Sequence, residues 1–179
     1  MGPLGWVTDR YGAQMGKNDA MMMHRVFGGL TALTLTLLAS AAIACPDVEE
    51  DGEDLYYSSD DLWNAVAFAV IAGGDQDLDR CDFNGPFTTG HVAAPPDFEL
   101  HYRKTRDFDL RFTAVGDCDT VLLINTGAGN WFFDDDDGQY DAQIHLTNPS
   151  DGLYDIWIGT YENRNCEATL TIETFPEDS

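Results

Sequence analysis

The sequence predicts an all-β fold, a sandwich or barrel of short antiparallel strands. Three observations carry this prediction. Short segments alternate apolar and polar residues with a period of two, clusters of turn residues separate these segments at regular spacing, and almost no helical periodicity occurs.

The alternation is clearest at Phe98, Leu100 and Tyr102, which point to one side of a predicted strand while the residues between them point to the other. The other predicted strands lie at residues 110–114, 121–124, 144–147, 154–159 and 169–173. The segment 121–124 is wholly apolar, which is typical of a strand buried on both faces. The apolar run 62–74 fits a strand or a buried helix, and the Gly73-Gly74 pair followed by an acidic turn favours a strand.

An uncharged run precedes the predicted strands at residues 26–44. It ends in Ala42-Ile43-Ala44, the small-x-small pattern that signal peptidase cleaves, and we predict a signal peptide at 21–44 with Cys45 as the first mature residue. A membrane-spanning helix is the alternative. Residues 1–20 show no periodicity and are predicted to be an unstructured leader, with translation starting at one of the methionines at 21–23.

The predicted mature chain consists of an acidic arm at 45–61, with a short strand at 55–57, and a β-sandwich domain at 62–179. The 179-residue chain has a net charge of −23, and the part from Cys45 onwards has 6 basic and 30 acidic residues, which gives −24. Nucleic-acid and anionic-membrane binding both need clustered Lys and Arg, so this charge argues against both.

An even number of cysteines in an exported chain predicts disulfides. Three pairings of the four cysteines are open, and we expect Cys45–Cys81 to tie the arm to the domain and Cys118–Cys166 to link two strands. Lipidation of Cys45 is the alternative, but it would strand one thiol. No CxxC spacing occurs, which argues against a zinc or thioredoxin-like site.

The stretch from Asp119 to Glu173 carries four motifs in order: DTVLLIN, WFFDDDDG, GLYDIWIGTY and ATLTI. Together they resemble the bacterial pre-peptidase C-terminal domain, over about 55 residues. The resemblance implies a single antiparallel β-sandwich, jelly-roll-like, that serves secreted enzymes as a non-catalytic module. The chain leaves no room for a peptidase domain beside it, so the resemblance does not extend to peptidase activity.

The most distinctive candidate site in the sequence is the acidic run 134–137, which is followed by Gly138 and Asp141. Adjacent carboxylates repel one another, and Ca²⁺ accepts six to eight oxygen ligands from irregular loops. The predicted calcium ligands are Asp134, Asp136, Asp141 and Asp119. The alternative is a solvated hairpin turn without an ion. The spacing does not fit an EF-hand.

Other candidate residues favour structural roles. The triplet Asp75-x-Asp77-x-Asp79 begins like a calcium loop, but Arg80 and Pro86 stand where that loop needs Gly and Glu. No HExxH and no GxSxG occurs, and the serines lack a glycine-rich elbow. Surface positions are predicted for His91, His101 and His145, and packing rather than ligand stacking is predicted for Trp131, Trp157 and Tyr161.

The sequence therefore predicts an exported, periplasmic or extracellular, non-catalytic binding or accessory module. Its partner would be an unidentified protein or polysaccharide, with no nucleic acid and no membrane span after processing, and Ca²⁺ is the only cofactor proposed. The alternatives are a small secreted hydrolase with an unrecognised site and a structural, salt-adapted surface protein.

Overall fold

The computed structural model describes residues 45–83, 88–137 and 140–176, and the predicted leader and signal peptide lie outside them. No helix in this described part is long and apolar enough to cross a membrane. Two 3₁₀ turns occur, at Asp61–Trp63 and Leu78–Arg80. The described strands are β1 Glu53–Ser58, β2 Val66–Ala72, β3 Gln76–Asp77, β4 His91–Val92, β5 Phe98–Arg103, β6 Phe108–Gly116, β7 Thr120–Asn125, β8 Trp131–Asp134, β9 Ala142–Leu146, β10 Gly152–Thr160 and β11 Cys166–Pro176.

The strands form two sheets packed as a sandwich. Sheet A has the order β1-β5-β10-β4-β3. On the opposite side of β10 lies β7, which also pairs with β8. Sheet B has the order β2-β11-β6-β9. The all-β sandwich predicted from alternation and turn spacing is confirmed.

One pair departs from the predicted antiparallel arrangement. Strand β1 pairs with β5 in parallel, with Leu55 opposite Leu100. This is possible because the chain passes through β2 in sheet B, and then through β3 and β4, before it reaches β5, and a parallel pair needs such a crossover. The strand expected at 55–57 is therefore longer than predicted and forms an edge of sheet A. The apolar run 62–74 contains β2, as the glycine pair indicated.

The main core fills the space between the two sheets. Every second residue of β5 and β6 points into it, and Leu100, Leu110 and Phe112 are fully buried. Strand β11 contributes Leu170 and Ile172 in the same way. The alternation of apolar and polar residues along each of these strands therefore corresponds to one buried and one more exposed face.

A second cluster lies on the opposite face of sheet A. Val121 and Leu123 of β7 and Trp157 of β10 are fully buried there, although their neighbours in sequence face the main core. Leu78 and Val92 come from the segment that we call the cover, residues 75–83 and 88–94. The wholly apolar run 121–124 is explained by this second layer, since β7 is covered on both faces.

Both expected disulfides are present, Cys45–Cys81 and Cys118–Cys166. The first ties the start of the described chain to the cover. The second joins the β6–β7 turn to the first residue of β11. They close loops of 36 and 48 residues, so each restricts the unfolded chain by about 4 kcal/mol on the loop-entropy model.

Candidate functional site

The acidic run lies between β8 and β9 at one end of the sandwich. Strand β8 ends at Asp134, β9 begins at Ala142, and Gly138 is outside the described residues. The Asp134 carboxylate accepts a hydrogen bond from the backbone N–H of Gln143 at 2.8 Å. The Asp137 carboxylate accepts one from the Gln143 side-chain amide at 2.6 Å. These contacts hold the two ends of the loop together.

Asp141 faces a neighbouring turn instead. Its carboxylate accepts a hydrogen bond from the backbone N–H of Gly116 at 3.4 Å, and its carbonyl oxygen accepts one from Asp137 N–H at 2.8 Å. Tyr140 has a φ of 68°, in the left-handed region, where a residue other than glycine is uncommon. Backbone hydrogen bonds therefore shape the loop on both sides of its tip.

Electrostatics connect Asp119 to this loop. Burial, followed by the charges of Asp136 and Asp135, raises the pKa of the Asp119 carboxyl above its ordinary value. Burial also raises the pKa of the Asp134 carboxyl. The hydrogen bond from Gln143 N–H acts in the opposite direction, because it stabilises the charged form. The sequence-based grouping of Asp119 with the acidic run therefore corresponds to charges that act on one another in the fold.

An open cleft of about 430 Å³ lies beside the Cys118–Cys166 disulfide. We call it the acidic cleft. Its side chains come from the β6–β7 turn, the end of the acidic loop and the β10–β11 turn: Asp117, Asp119, Tyr140, Asp141, Glu162 and Arg164. Arg164 is paired with Glu162 at 3.2 Å. The other carboxylates leave the cleft with a surplus of negative charge.

The predicted calcium ligands share this end of the molecule, but Asp134 and Asp136 do not line the cleft. Across residues 45–83, 88–137 and 140–176, no three Asp, Glu, His or Cys side chains are arranged to hold a metal ion. The calcium site remains a prediction, and the hydrogen bonds of Asp134 and Asp141 account for the shape of the loop without an ion.

The second acidic triplet forms a turn, as expected. The Asp77 carboxylate accepts a hydrogen bond from Asp79 N–H at 3.2 Å and so caps the 3₁₀ turn. The Arg80 guanidinium pairs with the same carboxylate at 2.9 Å. Arg80, which breaks the calcium-loop pattern, therefore supplies the positive charge that Asp77 faces.

The histidines lie on separate strands, and two of them pair with carboxylates. His101 contacts Asp54 at 2.6 Å and stacks on Tyr56 at 4.4 Å between ring centroids. His145 contacts Asp109 at 2.9 Å, and this aspartate is only 4% exposed. The other oxygen of Asp109 accepts a hydrogen bond from the backbone N–H of Asn148 at 3.2 Å. Alternation placed both rings on polar faces, but it could not identify their partners.

The Ser58 and Ser59 hydroxyls hold the turn that follows β1. The Ser58 hydroxyl donates to the Asp61 carboxylate at 2.5 Å. The buried Ser59 hydroxyl contacts the Tyr102 hydroxyl at 2.9 Å and accepts from Thr105 N–H at 3.1 Å. Within the described ranges, no serine hydroxyl is hydrogen-bonded to a histidine.

Two carboxyls with strongly raised pKa values were not identified from the sequence, the partly exposed Asp97 and the buried Asp155. The Asp97 carboxylate accepts a hydrogen bond from Ile158 N–H at 2.7 Å, and burial raises its pKa to about 7. Asp155 is 4% exposed, and its Oδ1 atom has no hydrogen-bond partner. Burial, with the charge of Glu99 on the neighbouring strand, raises the pKa of Asp155 to about 6. With so many acids in the chain, only the strand pairing shows which ones are buried.

The aromatic residues separate into packed and exposed ones. Trp157 is fully buried, donates to the carbonyl oxygen of Ala94 at 3.3 Å, and lies 5.5 Å from Trp131 between ring centroids. The packing predicted for these two tryptophans is confirmed. Tyr161 is 49% exposed, so the same prediction was wrong for it, because the β10–β11 turn carries its ring beyond both sheets.

Comparison of the sequence with protein-family models and with curated proteins returns no match. Among solved structures, the fold is similar to the pre-peptidase C-terminal domain of a collagenase from Bacillus anthracis, the family that the sequence motifs resemble. The identity is 11% and the TM-score 0.39, over 69% of this chain and 96% of that one.

The fold is also similar to PliG of Aeromonas hydrophila, a periplasmic inhibitor of g-type lysozyme. The identity is 8% and the TM-score 0.36, over 70% of this chain and 100% of that one. At these values the similarity concerns the fold alone.

Proposed function

We propose that this protein is an exported, non-catalytic β-sandwich that binds a cationic ligand at the acidic cleft. The observation that carries the proposal is the position of that cleft, an open acidic concavity built from turns at the end of a filled sandwich. Turns held by a rigid scaffold are where binding residues usually lie. A partner protein with a basic surface, or a polysaccharide with a bound cation, fits this charge.

Export is supported by the two disulfides, which persist in oxidising compartments. The predicted signal peptide agrees with this. A non-catalytic role is supported by how the candidate nucleophiles and bases are used. Ser58 and Ser59 hold a turn, and His101 is stacked and paired at the edge of sheet A.

We further propose Ca²⁺ as the ion that the acidic end takes up, with Asp134, Asp136, Asp141 and Asp119 as its ligands. The support is the crowding of carboxylates at this end: burial first, and then the charges of neighbouring aspartates of the acidic run, raise the pKa values of Asp119 and Asp134. A hard divalent cation relieves such repulsion. Binding would draw the exposed Asp136 side chain towards the others.

Thermal unfolding in millimolar calcium, in equal magnesium and in chelator tests this ion. We expect calcium to raise Tm by several degrees above magnesium, since an ion at one hundred times its Kd stabilises the fold by about 2.7 kcal/mol. Magnesium is the control because it screens the net charge equally well. If the three curves coincide, the calcium proposal is wrong.

A matched pair of variants locates the effect. Asp136→Asn should lose most of the calcium-dependent rise in Tm, whereas Asp51→Asn, which removes one exposed charge from the turn before β1, should keep it. An equal loss in both variants would indicate general charge screening instead of a site.

The alternative of a small hydrolase is favoured by one observation, the buried Asp109 that orients His145. His145 lines an open cleft of about 260 Å³ that also contains Ser150. Hydrolysis of p-nitrophenyl esters by the purified protein, lost in His145→Gln and kept in His101→Gln, would support this alternative. Equal rates in all three proteins would count against it.

A further inference from the structure

Strand β2 is an open edge of sheet B. It pairs with β11 along its whole length, from Val66 opposite Ile172 to Ala72 opposite Cys166. On its other side, no strand of the described part of the chain pairs with it. A row of backbone N–H and C=O groups is therefore available for another strand.

The sequence of β2 is unusual for an edge strand, because its seven residues, VAFAVIA, include no charge and no proline. Proteins ordinarily protect such edges with charged residues or proline. The described edges of sheet A carry that protection: β1 begins with Glu53 and Asp54, β3 ends with Asp77, and β8 ends with Asp134. The other edge of sheet B, β9, also lacks charge and proline, but its Gln143 N–H already donates to the Asp134 carboxylate. Strand β2 is the edge at which like charges would not oppose an approaching strand.

The inward-facing side chains of β2 are less buried than the β11 side chains directly opposite them. On β11, Leu170 and Ile172 are fully buried, whereas Phe68 and Val66 directly opposite them are only partly buried. Phe68 packs against Phe98 at 5.4 Å on its inner side. Among the described residues, no strand lies beside these side chains on the side away from β11.

The outer face of the same edge is also apolar. Ala67, Ala69 and Ile71 are exposed, and Ile71 is 57% exposed. Ala69 and Ile71 line an open groove of about 700 Å³ that extends across Thr169 to Val115, with Asp117 and Glu167 at the end away from Ala69. A strand added beside β2 would bury apolar side chains on both faces of the sheet.

We propose that the occupant of this edge is a second copy of the chain, paired antiparallel through β2 about a two-fold axis at Ala69. In this register Ala69 faces its own copy, Ala67 faces Ile71, and Phe68 faces Val70. Every pair is apolar, so the strand is complementary to itself, as a two-fold interface requires. The two sheets B would join into one continuous sheet of eight strands.

Charge favours the β2 edge over β1 and over the outer face of sheet B as the place where a second copy binds. Two chains of net charge −23 repel each other. Pairing through β1 would bring Glu53 and Asp54 together, and packing of two sheet B faces would add the Glu167 and Glu173 side chains. Pairing through β2 keeps these carboxylates out of the strand pair. Salt should therefore strengthen the association, which is the opposite of its effect on a basic partner.

Sedimentation velocity of the purified, disulfide-bonded protein tests the proposal, over a concentration series reaching about 1 mM because a small strand pair lies at the weak end of the affinity scale. We expect a monomer–dimer equilibrium that shifts towards dimer as salt is raised. A monomer at every concentration and salt would overturn the proposal, as would association only with a different protein.

Two glutamate variants separate edge pairing from face packing. Ala69, Thr169 and Val115 lie in one row across three strands. Ala69→Glu places like charges opposite each other at the two-fold axis and should raise the dimer Kd at least about tenfold. Val115→Glu adds the same charge to the same face two strands away from the edge and should change Kd little. An equal effect of both would show face-to-face packing and overturn the proposal.

A cysteine variant tests the register. Residues directly opposite each other in an antiparallel pair have Cα atoms about 4.5–5.5 Å apart, within reach of a disulfide. Ala69→Cys should therefore form a covalent dimer on mild oxidation, and Val115→Cys should not. Both sites are exposed, so neither change disturbs the core. A covalent dimer only from the Val115 variant would contradict the proposed pairing.

Discussion

The two sheets of the sandwich differ in what lies on their outer faces. Sheet A carries the cover, so Val121, Leu123 and Trp157 are buried on the side away from the main core. Sheet B has no such layer in the described part of the chain, and its outer positions on β2 and β6, such as Ile71 and Val115, are exposed. The same strand geometry therefore produces a two-sided sheet and a one-sided one.

This difference is visible in the burial patterns of individual strands. Residues 120–124 of β7 are all buried, whereas exposed or partly buried residues alternate with buried ones along β11. Gly159 shows how the cover comes close to sheet A, because a Cβ atom there would lie 2.4 Å from the carbonyl oxygen of His91. Covering a sheet on both sides therefore requires continuous apolar strands and small residues where the extra segment crosses.

The largest expected effect comes from the cluster under the cover. Trp157→Ala should lower the free energy of unfolding by about 3–5 kcal/mol, since it removes a fully buried aromatic side chain. Val115→Ala, at an exposed site of the one-sided sheet, should stay within about 0.5 kcal/mol of the parent. Urea unfolding measures both. A loss below about 1 kcal/mol for Trp157→Ala would mean that the cover does not pack on sheet A.

The second largest effect is expected from removing the Cys45–Cys81 disulfide, which ties the cover to the start of the described chain. Replacing Cys45 and Cys81 by serine should cost about 2–4 kcal/mol. Hydrogen exchange should accelerate in the cover, at β3 and β4, while β2 and β11 of sheet B keep their protection. The matched variant replaces Cys118 and Cys166, which should cost a similar free energy but accelerate exchange at the start of β11. Acceleration of the cover in both variants would contradict two independent attachments.

The sequence was informative wherever a strand has one buried face. Residues Phe98–Arg103 were predicted from alternation and form β5 with the same limits. The short strands β3 and β4, of two residues each, were not predicted, because their length carries no period and their pairing depends on distant residues. The parallel pairing of β1 was missed for the same reason, since alternation does not encode direction.

The candidate site was predictable to a similar extent. The grouping of Asp119 with the acidic run as calcium ligands stays a prediction, although Asp136 and Asp135 act on the Asp119 carboxyl in the fold. The desolvated carboxyls of Asp97 and Asp155 could not be found, since nothing in their local sequence distinguishes them from the other acids. Their burial arises from β5 and β10 packing side by side, which only the tertiary structure defines.

The smallest expected effect is a pH dependence of the free energy of unfolding that arises from Asp97, just before β5. Burial raises the pKa of Asp97 from 3.8 to about 7. Between about pH 4 and pH 7 the folded chain keeps a proton that the unfolded chain has released, so stability falls as the pH rises through this window. Asp97→Asn keeps an oxygen to accept from Ile158 N–H and should be more stable than the parent at pH 8, on the order of 1–3 kcal/mol.

Urea unfolding between pH 4 and pH 8 measures this slope, with Asp107→Asn as the control because the Asp107 side chain is 98% exposed. Part of the slope should remain in Asp97→Asn, since Asp155, with its pKa raised to about 6, titrates in the same window. The control should keep the full slope. If Asp97→Asn and the parent lose stability in parallel from pH 4 to pH 8, Asp97 is already ionised in the folded protein, and the side chain is more hydrated than its position beside β10 implies.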